Sequence, residues 1–533
     1  MRNIVFIAIA FSILFSPAFA VLEIANEQPK VGAEQWKQVL DSTWKGLVKR
    51  NIDECVGKPI YNGHPNSSGL ICRPKSETPW DAVSEGIGYG MLLALYADDQ
   101  NRFNQIYNAG KEFYLNYCQG WRKPSNGGGT ENGSATDADE DIAIALVFAD
   151  KLVKKGVWES PSDINYAGDA QNAINCVWGS MDNGKLCPGN GWCPGFNVGY
   201  FAPAWYRIFK DYSTNQSHNW QLAIDESYKL IAHQNNTGYS RGMVPDWSSS
   251  DGRPGGGGYN TCFNGKAFYK DAIRVLWRIA TDAIWFNEPR AKAFLTNSLN
   301  FITEQGGPSA ANFYMLDGNL VLIDSIWTTF NGGKTWRYRQ EHSHLTVGQW
   351  LTVAMAVGTD DDKIAWSSKM AEFYDWENKV DFFGNAIDPT GGIEDTLHNE
   401  MYFDQFLAWF GVSLMSGTWV NIMSDYNGED VEGITVQPFP EPEPPEPPEP
   451  PESIKKNHFR HGIQITQNGK LLQMRSQSDV VWKIHNLQGK LLFSSNSRET
   501  SWDSGNFKGA VVVSATGKSG TERKVLVIHP FAQ

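Results

Sequence analysis

Three carboxylates stand at the heads of apolar runs, and it is the repetition that marks them. Glu85 lies in Ser84-Glu85-Gly86-Ile87-Gly88-Tyr89-Gly90-Met91, followed by Leu92-Leu93-Ala94-Leu95-Tyr96. Asp137 lies in Ser134-Ala135-Thr136-Asp137-Ala138-Asp139-Glu140-Asp141, ahead of the apolar residues 142–149. Asp271 opens Asp271-Ala272-Ile273-Arg274-Val275-Leu276-Trp277-Arg278-Ile279-Ala280. One acid in a first helical turn does no more than complement the helix dipole. Three such helices running parallel inside one barrel would gather three acids at one mouth, where they could divide the work of proton donor and proton acceptor. Ser84 is a suitable N-cap for the first helix. Three glycines in five residues, each costing roughly 1 kcal/mol against alanine in a helix, imply that something approaches that backbone closely.

At these residues the chain resembles glycoside hydrolase family 8. The segments S-E-G-x-G-Y-G-M, T-D-A-D-x-D-I-A and D-A-I-R-V-x-W occur in the family's order, and the likeness runs over roughly residues 30 to 420. It implies an all-α catalytic domain, an (α/α)6 barrel, that cleaves β-1,4-linked glycans with inversion. It makes Glu85 the general acid, Asp271 the general base and Asp137 a third carboxylate that binds the sugar at the cleavage point. The family's chitosanase branch lacks the aspartate at position 271, so its presence points to the cellulase and xylanase branch. The expectation is an endo-acting β-1,4-glucanase (a cellulase). The alternatives are an endo-β-1,4-xylanase or mixed-linkage β-glucanase of the same family, or a non-catalytic glycan-binding protein. Three intact carboxylates argue against the last. An α/α-barrel lyase would use tyrosine or histidine instead. Two departures stand out: Lys270 occupies a place usually held by tyrosine, and Val198-Gly199 replace a proline and serine.

An inverting hydrolase needs one carboxyl protonated and another ionised, about 6.5–9.5 Å apart. Burial and a neighbouring carboxylate must hold the proton on Glu85 against the helix dipole. Lys270 and Arg274, next to Asp271 and one turn on, favour its anion. Arg274 is therefore counted with the substrate-binding set, together with Trp121, Trp192, Trp205 and Tyr402 as candidates to line the cleft. Trp277, spaced within an apolar helical run, reads as core. Asp139 and Glu140 read as an acidic first turn capped by Thr136. The run from Asp137 begins like a calcium loop, but positions six and twelve are Ile142 and Phe148 rather than glycine and glutamate. No metal and no cofactor are expected.

The elements that must position these residues read mainly as helices. Trp36, Val39, Leu40, Trp44, Leu47 and Val48 recur at helical spacing, as do Trp220, Ile224, Tyr228 and Ile231. Further helical runs lie near 102–117, 202–211, 290–304, 346–357, 363–376 and 399–416. Long loops at 119–136 and 180–197 and the glycines 255–258 would form cleft walls. Seven cysteines, an odd number, lie between Cys55 and Cys262. Cys187 with Cys193, and Cys55 with Cys72, are the two local pairings the spacing suggests.

Residues 1–20, with Arg2, an apolar stretch and Ala18-Phe19-Ala20, read as a secretory signal. The catalytic domain is expected over 21–437, a Pro/Glu-rich linker over 438–452 and a small all-β domain over 453–533. No segment after the signal reads as a membrane span, and the product is expected to be secreted or attached to the cell surface. The chain carries a net charge of −13, which excludes a nucleic-acid partner on electrostatic grounds. The tail holds twelve Lys and Arg against four acids, a net of +8, which leaves −21 on the rest. Its Ile484-His485-Asn486-Leu487-Gln488-Gly489-Lys490 and Gly505-Asn506-Phe507-Lys508-Gly509 resemble C-terminal sorting or attachment domains of secreted enzymes from fibre-degrading bacteria. A carbohydrate-binding module is the rival, with only Trp482 and Trp502 as large stacking candidates. The expected partners are a β-1,4-glycan polysaccharide and, through the tail, cell-surface or secretion machinery, with the enzyme itself a monomer.

Overall fold

The computed structural model describes residues 30–424 and 456–528, apart from 58, 62–63, 66–68, 74–80, 114–119, 124–132, 190–191, 256–264, 322–327, 331–333, 337–342, 377–378, 385–401, 459–463, 469–470, 477–478, 487–489, 504–508 and 518–519. The signal, the Pro/Glu linker and most of the glycine run lie outside the described residues. The chain divides into Met1–Glu441 and Pro442–Gln533.

The first unit is built from helices α1 (Ala33–Leu47), α2 (Ser84–Tyr96), α3 (Gln100–Phe113), α4 (Thr136–Lys154), α5 (Tyr166–Gly179), α6 (Pro203–Tyr212), α7 (Trp220–Ile231), α8 (Lys270–Ile273), α9 (Val275–Phe286), α10 (Pro289–Glu304), α11 (His344–Val357), α12 (Asp360–Ala371) and α13 (Tyr402–Met415). The short α8 runs straight into α9 through Arg274, whose backbone is itself helical.

The helices alternate between two kinds. In α2, α4, α11 and α13 nearly every residue is buried, and most are in α6 and α9; α1, α5, α7, α10 and α12 bury one face only. A helix apolar all round must be enclosed, whereas an amphipathic one has a face for water. The enclosed helices pack α2 on α4, α4 on α6, α6 on α9, α9 on α11 and α11 on α13. The ring closes where Tyr89 of α2 packs against Phe406 and Phe410 of α13, 5.5 and 5.1 Å between ring centres. The result is the (α/α)6 barrel, with the N-termini of the inner helices at one end.

Aromatic side chains fill the barrel axis. Trp277 stacks on Phe410 at 4.6 Å and meets Trp205 and Trp419 at 6.1 and 5.6 Å. The glycines of α2 are explained by protein neighbours rather than by a ligand. A side chain at Gly88 would press on Asp141 and Ala138 of α4, and one at Gly86 would meet Ile71 and the Tyr402 ring. Ser84 is not a cap. It is already helical, its hydroxyl is buried without a protein partner, and its N–H donates to the Trp121 carbonyl at 2.9 Å. That bond continues the pairing of Ala82–Val83 with Arg122–Lys123. Thr136 likewise lies inside α4 and donates its hydroxyl to the Cys187 carbonyl. Disulfides join Cys55 to Cys72 and Cys187 to Cys193.

The second unit has two antiparallel four-stranded sheets. One orders Lys456–His458, Gln464–Asn468, Leu471–Arg475 and Glu499–Asp503; the other orders Leu491–Asn496, Val481–Asn486, Gly509–Gly517 and Gly520–Ile528. Ile465, Leu472 and Met474 of the first share a core with Trp482, Ile484, Val511 and Val513 of the second. Trp482 is fully buried there, so it cannot offer a face to a sugar.

Candidate active site

Arg274 is the hub of the barrel mouth. Its guanidinium is buried and reaches three carboxylates on three inner-helix ends. Nη1 donates to Glu85 Oε2 at 2.9 Å and to Asp137 Oδ2 at 2.7 Å, and Nη2 donates to Asp271 Oδ1 at 2.9 Å. The planar fork fixes these directions. The nearest oxygens of Glu85 and Asp271 are thus at most about 8 Å apart, two hydrogen bonds plus the fork's width, which is compatible with the roughly 6.5–9.5 Å of an inverting pair. Tyr200 supports Arg274 from its face, 4.7 Å from the ring centre.

The three acids differ in setting. The Asp271 side chain is 44% exposed, Glu85 18% and Asp137 2%. Burial pushes Glu85 up to about 7. Arg274 and the Tyr402 hydroxyl, which donates to Oε1 at 2.5 Å, pull the other way, while Asp137 and Asp271 add to the rise. Burial also raises Asp137, against the pull of Arg274 and Arg278. Its Oδ1 is buried and has no protein partner. Asp271 additionally accepts from Trp247 Nε1 at 3.3 Å.

One helical turn deeper, Arg278 forms a second layer. It holds Asp141 through both terminal nitrogens, at 2.9 and 2.7 Å, and pairs with Glu140 at 3.0 Å. Glu140 also accepts from Tyr206, and Asp141 from Trp205 Nε1 at 2.9 Å. Asp139 does lie in the first turn of α4, with Glu140 next to it, but Thr136 is not the cap. Both acids are buried, and burial pushes both well above the usual carboxylate range.

The structure brings Glu85, Asp137, Asp271, Arg274 and Tyr402 together. Trp192 lies beside them, its ring 6.3 Å from that of Trp247. Trp121, partly buried, flanks the start of α2 through its carbonyl bond to Ser84. Trp205 needs correcting as a cleft residue. It is 1% exposed, spends its indole N–H on Asp141 and packs among Trp277, Trp285 and Trp419. Its neighbours Pro203 and Ala204 start an inner helix, so a side chain at that position turns into the barrel. Lys270 pairs with buried Asp404 of α13 at 3.5 Å and lies over Phe403. Sequence reasoning missed Tyr200, Asp246 and Trp247. The acid and tryptophan of Val244-Pro245-Asp246-Trp247 were the available signal.

Residues 62–310 match the model of glycosyl hydrolases family 8. This matched segment is similar to family 8 glycosyl hydrolases. It contains the three carboxylates and Arg274, whereas Tyr402 lies beyond it. Endoglucanase 2 of Ruminiclostridium josui is 38% identical over 289 residues, covering 52% of this chain and 59% of that protein. Endoglucanase A of Acetivibrio thermocellus is 34% identical over 285 residues, covering 52% and 57%. The chain thus spans less than two thirds of the length of these curated relatives. Among solved structures, the beta-1,3-1,4-glucanase of Paenibacillus sp. X4 superposes with a TM-score of 0.55 at 19% identity, over 74% of this chain and 96% of that one. A reducing end xylose-releasing exo-oligoxylanase gives 0.53 at 19%, over 73% and 93%. These likenesses concern the fold.

Proposed function

We propose that the protein is an endo-acting β-1,4-glucanase that cleaves internal bonds of cellulose-type chains with inversion. The observation that carries this reading is the shared Arg274 fork, which joins a half-buried acid pushed up to about 7 to an exposed carboxylate in one constellation. Glu85 holds its proton below that value and delivers it to the departing glycosidic oxygen. Asp271, open to solvent, takes a proton from the water that attacks the opposite face of the sugar. Asp137 keeps one oxygen on Arg274 and has the other unpartnered, the state of an acceptor waiting for a sugar hydroxyl. Trp192 and Trp121 offer partly buried rings to the chain of sugars, and Tyr402 and Arg274 hold the acid in place.

The endoglucanase names among relatives at 34–38% identity favour a β-1,4-glucan over xylan or mixed-linkage glucan. The test is viscometry with reducing-end counting on carboxymethylcellulose, mixed-linkage β-glucan and xylan. The reading expects a steep viscosity fall per bond cut on the first. Activity confined to xylan, or release of single sugars without viscosity loss, would overturn it. Residues 1–20 support export of the enzyme, and the basic β-sandwich serves surface attachment or sorting rather than sugar binding, since Trp482 is walled into its core and only the half-buried Trp502 is left of the two stacking candidates.

A further inference from the structure

We propose that Asp246 is a positioning residue for the base. Its Oδ1 accepts two backbone N–H bonds, from Tyr269 at 3.2 Å and from Ala272 at 3.0 Å. These residues bracket Asp271, so one carboxyl oxygen fastens the turn that carries the base on both sides. Asp246 reaches them from a different segment, itself anchored by its N–H to the Ala267 carbonyl at 3.1 Å. The next residue, Trp247, donates to Asp271 Oδ2, so the same two-residue stretch grips the base by main chain and side chain.

The need for such a grip is local. The N-cap of α8, Tyr269, makes no side-chain capping bond, and α8 is only four residues long before Arg274. The first N–H groups of a helix require an acceptor, and here a remote carboxyl supplies it. Asp246 is 2% exposed, and burial, reinforced by the nearby Asp271, holds it well above the usual carboxylate range. An asparagine amide keeps the oxygen that accepts both N–H bonds.

This inference rests on Asp271 being the base, and the experiment separates the two. Asp271→Ala, Asp246→Ala and Asp246→Asn are compared for kcat, KM, thermal unfolding and rescue by sodium azide on an aryl β-cellobioside. Azide attacks the sugar carbon without needing a base, so it restores a protein whose only defect is water activation. Asp246→Ala is expected to lose about 10²-fold in kcat with KM within about threefold, as a misplacement on the order of 1 Å would cause. Azide should recover part of that loss as the α-glycosyl azide. Asp246→Asn should stay within about fivefold of wild type. If azide rescues Asp271→Ala but not a folded Asp246→Ala, Asp246 does not act through the base and the proposal falls. An Asp246→Asn protein as inactive as Asp271→Ala also overturns it. If azide fails on Asp271→Ala itself, the base assignment is what has failed. Should Asp246→Ala not fold, azide rescue and the kcat of Asp246→Ser, whose shorter hydroxyl can cap only loosely, decide in its place by the same two criteria.

Discussion

The Tyr402 hydroxyl sets where the proposed acid gives up its proton, and removing it has a predictable sign. The bond to Glu85 Oε1 is 2.5 Å long and favours the carboxylate, so it holds Glu85 lower than burial alone would. Tyr402→Phe keeps the ring in its edge contact with Phe406, 5.5 Å between centres, and deletes only the donor. A hydrogen bond to a charged group contributes about 1.5–3 kcal/mol, and one pKa unit is worth about 1.4 kcal/mol. At the lower figure the shift is about one unit. The wild-type enzyme should lose kcat/KM as pH rises through about 7, because Glu85 must be protonated to act. In Tyr402→Phe that alkaline limb should move up by about one unit, while the plateau below it changes much less. The assay is kcat/KM on a soluble glucan at half-unit pH intervals, since that parameter reports the free enzyme. A limb that stays put, or moves to lower pH, would refute the reasoning that Tyr402 stabilises the ionised acid.

Glu85→Gln should cost about 10²–10⁴-fold in rate on an unactivated glucan, and less on a substrate with a good leaving group. It should also change the pH dependence of stability. Glu85 rises from an ordinary 4.5 to about 7 on folding, so wild type loses stability across that window as the unfolded chain gives up its proton first. Relative to wild type, the variant should gain up to about 3 kcal/mol above pH 7 and nothing below pH 4, read by urea unfolding at both ends. Arg278→Met leaves Asp141 and Glu140 without their cation in the core and should cost about 3–5 kcal/mol in the same assay. Proton NMR of fresh hydrolysate should show the α-anomer first; a β-anomer appearing first would make a carboxylate the nucleophile. A protein ending at residue 441 should hydrolyse soluble polymer at the full-length rate, because the barrel is a unit by itself.

The barrel was legible in the sequence through the family resemblance, and the repeated helical runs agree with it. Apolar helices such as α2 and α13 alternate with amphipathic ones such as α1 and α7, and each type has its own spacing. What escaped was anything decided by a neighbour far along the chain. Trp205 and Trp277 look alike as helical tryptophans, and both prove to be core. Trp205's short, proline-headed segment gave no hint that Asp141 would take its N–H. Ser84 and Thr136 have the composition of caps, but a strand pairing and the Cys187 carbonyl claimed their local bonding. Helix α5 was missed because Gly168, Asn172 and Asn175 weaken its intrinsic propensity, although Asn165 caps it and Ala173, Ile174 and Val177 bury one face. Asp246 sits in a loop and acts on a helix more than twenty residues later, and no local pattern encodes that.

The same contacts explain how a carboxyl at the head of a helix keeps its proton. The dipole of α2 and the positive Arg274 both favour the anion at Glu85. Burial outweighs them, and the negative charge already gathered at the mouth adds to it. Asp137 and Asp271 share the one guanidinium with Glu85, while Arg278 is taken up by Asp141 and Glu140 a turn below. One cation cannot neutralise three carboxylates in a partly dry site, so the least costly arrangement leaves a proton on one of them. Asp271 is open to water, which solvates its charge. The proton therefore belongs with Glu85 and Asp137, both of which burial raises, Asp137 adding to the rise at Glu85. Of the two, Glu85 has the greater access to solvent and Asp137 is almost wholly enclosed. A proton held here meets solvent more readily at Glu85 than at Asp137, and that asymmetry, rather than any intrinsic difference between the acids, suits Glu85 to the proposed role of donor.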